Sequence, residues 1–401
     1  MQENKSRRPV NVRRPEVREQ VMHDISRYSS PLVEQLRASG NRLRLPNLEL
    51  YLADSFGFCD GVRRAIEIAY ATIRLFKDRR IWLIGEIIHN PEVNGQLDAL
   101  GMRHLPWRED DPAYNALTRD DVVVIPAFGI TRAMRARLEG QGVQLVDSTC
   151  GNVIKVWQRV RSYAAAGVTS VIHGKALHEE SMATASQSCG EDGTGNFIVV
   201  LDECEAQMVA DFITGKLDAA ALQERFASRM SAGFDPQVHL QEIGLANQTT
   251  MLKSETARIQ EILRAAVVQR DGNADRFHVF DTICDATQSR QDALFKLLDL
   301  DLDAMMIIGG YNSSNTTHLA QIAHERVHTY FVRDAACLES TGRIRCYDFA
   351  TRRETECPLP HGAADMQRVL KVGITAGASC PANVIEQVIR RLAELRGCPL
   401  P

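Results

Sequence analysis

The sequence predicts an α/β protein: three similar α/β/α domains with small parallel sheets around a pseudo-threefold axis. Three observations carry that prediction. Apolar strand-like runs alternate with amphipathic helical stretches along most of the chain, the pattern of parallel α/β units. A strand, an Asp-Ser or Asp-Thr pair, a cysteine and a helix recur in that order at three places. Two further strand–loop–helix units follow each of those places, so the chain reads as one large repeat.

The elements follow in order. Residues 1–46 precede the repeat as an N-terminal extension whose start is broken by Pro9, Pro15 and Pro31. Its stretch VREQVMHDISRYSSPLVEQLRASG predicts two short helices packed on the body, as surface covering or a dimer contact and without a catalytic residue. The repeated strand–cysteine–helix phrases are LELYLADSFGFCDGVRRAIEIA, VQLVDSTCGNVIKVWQRVRSYA and FHVFDTICDATQSRQDALFKLL. Asp54-Ser55, Asp147-Ser148 and Asp281-Thr282 lead to Cys59, Cys150 and Cys284, with a longer spacing in the first copy.

The second loop of each copy carries His89 and Asn90; His178, Glu179 and Glu180; and Asn312, Ser313, Ser314 and Asn315. The third carries Phe128-Gly129; Gln248-Thr249-Thr250; and Ala378-Ser379. The expected domains are 60–150, 151–284, and 285–401 together with the strand segment 47–59. Residues 187–240 enlarge the second, and 334–370 form a surface excursion of the third.

Bulk properties narrow the function. A net charge of −4 gives no reason to expect nucleic acid or a membrane surface as partner. No apolar run approaches the ~18 residues of a membrane span, and the first residues lack the apolar core of a secretory signal. A cytoplasmic protein is expected. There, ten cysteines are thiols or metal ligands rather than disulfides. No CxxC or CxxH occurs, so any metal site is assembled from distant segments. The cysteines outside the repeat are expected to be packing or surface thiols, with Cys380 notable for standing beside Ser379.

Loops at the carboxyl ends of parallel strands are where α/β sheets bind ligands. Any one of these loops alone is an ordinary turn or helix cap; a cysteine at the equivalent place in all three copies is not. A helix N-terminus favours the thiolate, the metal-binding form. Three thiolates suit zinc or an iron–sulfur cluster with one iron left open. The histidines, hydroxyls and amides of the other loops suit phosphate oxygens.

The phrases GFC-x-GV, EIIHN, DSTC, HGKALHEE, NQTT, TICDAT, NSSN and TAGAS, in this order over about residues 48–395, resemble the LytB-type 4-hydroxy-3-methylbut-2-enyl diphosphate reductases. PAFG, GFDPQVHL and ANQTTMLK are similar to the plant and cyanobacterial branch. The resemblance implies one [4Fe–4S] cluster at the centre of the three domains, on Cys59, Cys150 and Cys284, its open iron facing substrate. It implies diphosphate contacts at His89, His178, Ser313, Ser314, Asn315 and Ser379, a proton-delivering Glu180 and a supporting hydroxyl on Thr249.

The implied reaction removes an allylic hydroxyl with two electrons and two protons, giving isopentenyl and dimethylallyl diphosphate at the end of the methylerythritol phosphate route. No dinucleotide fingerprint follows a strand, so an external donor such as ferredoxin or flavodoxin is implied. Two departures stand out. Phe128 replaces a histidine of shorter bacterial members, and Gly151-Asn152 follows Cys150 where many members have proline, relaxing that turn.

Overall fold

The computed structural model describes residues 10–280, 283–340, 343–358 and 368–400. They form two compact units. One takes in residues 10–12, Leu75–Ile87 and Gly101–Cys284; the other takes in Arg13–Arg74, Ile88–Leu100 and 285–400.

The first unit contains two four-stranded sheets. In one, the spatial order is Arg103–Leu105, Ile81–Ile84, Val122–Ile125, Gln144–Asp147, every pairing parallel. In the other it is Phe277–Val279, Ile243–Asn247, Thr169–His173, Phe197–Val200, again all parallel. Strands such as VVVI (122–125) and IGLAN (243–247) are buried at every position. That is what a parallel sheet covered on both faces requires, and it explains why these strands read as continuous apolar runs.

The second unit holds a five-stranded sheet in the order Arg42–Leu45, Leu48–Leu52, Leu370–Ala376, Ala304–Ile308, Thr329–Val332. Only the first pair is antiparallel. The strand that leads to Cys59 thus pairs in parallel register with residues 370–374. The extension forms the two expected helices, Pro15–Ser26 and Pro31–Ala38, each opened by proline, and Ser30 caps the second by accepting from the Val33 N–H at 3.0 Å. Val33 and Leu36 belong to the same apolar core as Leu50, Ile374 and Val388.

The described residues of both insertions carry regular elements. Phe197–Val200 is an edge strand of its sheet, followed by helices Glu203–Ile213 and Ala219–Phe226. The later insertion folds into a separate antiparallel sheet of Leu338–Ser340, Arg343–Asp348 and Arg353–Cys357. Here the expectation of thiols is corrected at two positions: Cys346 and Cys357 form a disulfide, Cα atoms 6.5 Å apart. Cys346 lies opposite Thr355, and Cys357 opposite Ile344, so the cysteines are diagonal neighbours on one face. Cys380 is a packing residue with no exposed surface, and burial, with a smaller contribution from Glu92, pushes its thiol far above the ordinary range.

Two outcomes follow. A Cβ at Gly244 would lie 2.5 Å from the Tyr163 ring. Gly244→Ala is therefore expected to cost about 1–3 kcal/mol, read as a lower melting temperature; an unchanged melt would deny the close packing. In the folded protein, iodoacetamide should label the exposed Cys204 readily and Cys380 only after unfolding. Fast labelling of Cys380 in the native state would contradict its burial.

Candidate active site

Each of the three repeat cysteines stands at a loop–helix junction. Cys150 is the N-cap of helix Gly151–Ala165, with extended backbone and its N–H on the Ala127 carbonyl at 2.9 Å. Asp147 shapes the turn before it, accepting from the Thr149 N–H at 3.0 Å, while Ser148 donates to the Ile125 carbonyl. These are the bonds that make an Asp-Ser-Thr-Cys phrase a rigid turn. Behind Cys150, Trp157 packs with Val153 and Ala183. Gly129, at φ +78°, makes room for it, since a Cβ there would meet the indole at 2.2 Å.

In the same unit, Cys284 donates its N–H to the Thr249 carbonyl at 3.3 Å, and its sulfur accepts from the Asn152 side-chain amide at 3.0 Å. Asp281 and Thr282, the pair before it, lie outside the described residues.

Thr249 also reaches Glu180. The Thr249 N–H donates to Glu180 Oε1 at 2.6 Å and its hydroxyl donates to Oε2 at 3.0 Å. Glu180 is only 3% exposed. It lies in the first turn of helix Glu179–Ser188, whose N-cap is His178; the His178 Nδ1 accepts from the Glu180 N–H at 3.1 Å. Phe128 meets the His178 ring edge-on, with centroids 5.9 Å apart. The buried Gln248 locks the loop: its Oε1 accepts from the Lys175 N–H and the Ser181 hydroxyl, each at 3.1 Å. His173 is fully buried and bonded to the Thr256 hydroxyl through Nδ1 at 2.8 Å.

The second unit carries the rest. Cys59 precedes helix Asp60–Leu75, donates its N–H to the Ala378 carbonyl at 3.2 Å, and accepts on sulfur from the Val62 N–H at 3.4 Å. Two arginines hold its loop: Arg37 donates to the Phe56 carbonyl at 3.0 Å and stacks over the Phe56 ring, and Arg290 donates to the Gly57 carbonyl.

Near the N-terminus of helix Ser314–His324, buried hydroxyls gather. Ser379 Oγ donates to the His89 carbonyl at 3.1 Å and lies 3.3 Å from Ser313 Oγ. His89 Nδ1 lies 3.3 Å from the Asn312 amide, and Asn315 Oδ1 accepts from the Ala378 N–H at 2.9 Å. A side chain at Gly377 would strike the Thr316 hydroxyl at 1.9 Å, so the approach of this loop to the helix depends on glycine.

The donor sets have distinct chemistry. Half-buried sulfurs at helix mouths that accept N–H bonds suit thiolates, hence a soft metal or cluster. Asn315 Nδ2 is buried with no partner among the described residues, and its residue is 3% exposed. An amide donor left so costs about 1–3 kcal/mol unless an acceptor arrives, and beside a helix N-terminus that acceptor suits an anion. Sequence reasoning pointed to Cys59, Cys150, Cys284, Glu180 and Thr249 but assigned nothing to Gln248, Asn152, Arg37 or Arg290. Asn315→Asp keeps the acceptor on Ala378 and removes the donor. It should weaken inorganic diphosphate binding about tenfold or more in calorimetry, the worth of one bond to a charged group; unchanged affinity would remove Asn315 from the anion site.

The family model described as LytB protein matches residues 50–393. The chain is 43% identical over 376 residues to the 4-hydroxy-3-methylbut-2-enyl diphosphate reductase of Synechococcus sp. strain PCC 6301, covering 92% of each. It is 43% identical over 380 residues to that of Gloeobacter violaceus, covering 92% of this chain and 88% of the relative. A solved (E)-4-hydroxy-3-methyl-but-2-enyl diphosphate reductase, described as the terminal enzyme of the non-mevalonate pathway, aligns with TM-score 0.52 at 26% identity, covering 86% of this chain and 99% of that one. The Plasmodium falciparum E-1-hydroxy-2-methyl-but-2-enyl-4-diphosphate reductase shares the fold, with TM-score 0.63 at 22% identity over 87% and 89% of the two chains. Matched along nearly its whole length, the chain belongs to the LytB family.

Proposed function

We propose that this chain reduces 4-hydroxy-3-methylbut-2-enyl diphosphate to isopentenyl and dimethylallyl diphosphate, the last step of the methylerythritol phosphate route. The observation that carries the reading is the buried Glu180–Thr249 pair, one residue of which also anchors the Cys284 backbone. Cys59, Cys150 and Cys284 would hold one [4Fe–4S] cluster; with one iron free of protein ligands, it would supply electrons and a Lewis acid for the alcohol oxygen.

The chain's own groups do the rest. His89, Ser313, Ser314, Asn315 and Ser379, with His178, bind the diphosphate and fix the distance from its charged end to the alcohol. Glu180 delivers a proton to the departing hydroxyl. A carboxyl oxygen that accepts a backbone N–H has no reversible partner, so Oε1 stays an acceptor. Of the two oxygens Oε2 is the better placed to carry the proton, because the Thr249 hydroxyl can turn from donor to acceptor when Oε2 is protonated.

The chain is read as an extension, 1–46, and three domains, 60–150, 151–284 and 285–401 with 47–59, around a pseudo-threefold axis. Electrons come from an external carrier such as ferredoxin or flavodoxin. Among the described residues no helix is long and apolar enough to cross a membrane, and a cytoplasmic setting suits oxygen-sensitive thiolates.

The test is anaerobic: cluster-reconstituted protein and reduced viologen, with dye oxidation followed on adding the allylic diphosphate. Substrate-dependent oxidation is expected, and Glu180→Gln should lower turnover about 10²–10⁴-fold with binding retained. No oxidation by protein with verified iron and sulfide would refute the activity; full turnover by Glu180→Gln would refute its proton role.

A further inference from the structure

Asn152 stands one residue after Gly151, where the family resemblance implies proline in many members. It is the second residue of helix Gly151–Ala165, and its side chain is half-buried. Its Nδ2 lies 3.0 Å from Cys284 Sγ, across 132 residues of sequence. Of the two ends of the amide, only the NH₂ can donate, and a thiolate only accepts, so the donor is fixed by chemistry. The same helix begins at Cys150. One side chain therefore ties the segment bearing one cysteine to the sulfur of another.

We infer that Asn152 is a positioning residue that holds Cys284 Sγ by its side-chain amide and raises the reduction potential of the cluster bound there. The inference rests on the cluster reading above. An N–H···S bond draws electron density from the sulfur and stabilises the more negative, reduced state, one of the levers that set cluster potentials. It also resolves the departure at Gly151. Glycine removes the ring that would stiffen the turn after Cys150, and a Cβ there would meet nothing within 4 Å. The amide bond to Cys284 supplies order that the glycine does not.

The experiment compares reconstituted wild type, Asn152→Leu and Asn152→Asp by anaerobic potentiometry, read by the reduced cluster's paramagnetic resonance signal. Leucine matches the volume without a donor; aspartate matches the shape and points an acceptor and a charge at the sulfur, while still favouring the helix N-terminus. The midpoint should shift negative in Asn152→Leu and further in Asn152→Asp, with circular dichroism unchanged. Equal midpoints in all three would overturn the inference, as would a positive shift in the leucine variant. If neither variant takes up iron yet both melt as the wild type does, the amide is required to hold the ligand, which supports positioning. If either misfolds, Asn152→Ser, which shortens the donor out of reach, decides by the same shift. Wild type that takes up no cluster would instead sink the cofactor reading, a separate failure.

Discussion

The carboxylate of Glu180 is buried, and a buried carboxylate has to find donors within its own surroundings. Both oxygens find them on one residue, Thr249. That demand organises the neighbourhood. The Thr249 loop must sit against the start of helix Glu179–Ser188, so Gln248 pins it there through the Lys175 amide and the Ser181 hydroxyl. The Thr249 carbonyl is then left facing the backbone of Cys284. An acid, a hydroxyl and a sulfur are placed by a single turn after strand Ile243–Asn247.

Much of this was legible in the sequence because it is local. Strand–turn–helix units announce themselves through apolar runs, turn residues and caps, and the three repeat cysteines do each precede a helix. Glu180 is separated from Glu179, and Thr249 from its loop neighbours Gln248 and Thr250, by the family resemblance rather than by local pattern. Contacts over long sequence distances leave no such trace. Nothing periodic connects Asn152 to Cys284, Arg290 to Gly57, or Arg37 to Phe56. The disulfide between Cys346 and Cys357 was missed for a related reason: pairing is set by strand register, and the segment read as a charged excursion rather than a sheet.

The extension shows how a stretch without catalytic residues can still serve a site. Its second helix contributes Val33 and Leu36 to the core and sends Arg37 to the loop that carries Cys59. Tyr28 accepts from the Ala382 N–H at 3.0 Å and shares a hydroxyl contact of 2.9 Å with Tyr70 on the helix that follows Cys59. Surface covering describes the outside of these helices; their inner face is part of the scaffold behind the cysteine.

The strand leading to Cys59 pairs Leu48 with Leu370 and Leu52 with Ile374. During synthesis that strand emerges early beside its antiparallel neighbour Arg42–Leu45 and waits for its parallel neighbour until almost the whole polypeptide has been made. Pairings so distant in sequence form slowly, after local helices and turns. If Cys59 holds the proposed iron–sulfur group, its insertion is therefore an event of the finished chain, and a polypeptide stalled before residue 370 would lack the parallel partner of the strand that leads to that thiol.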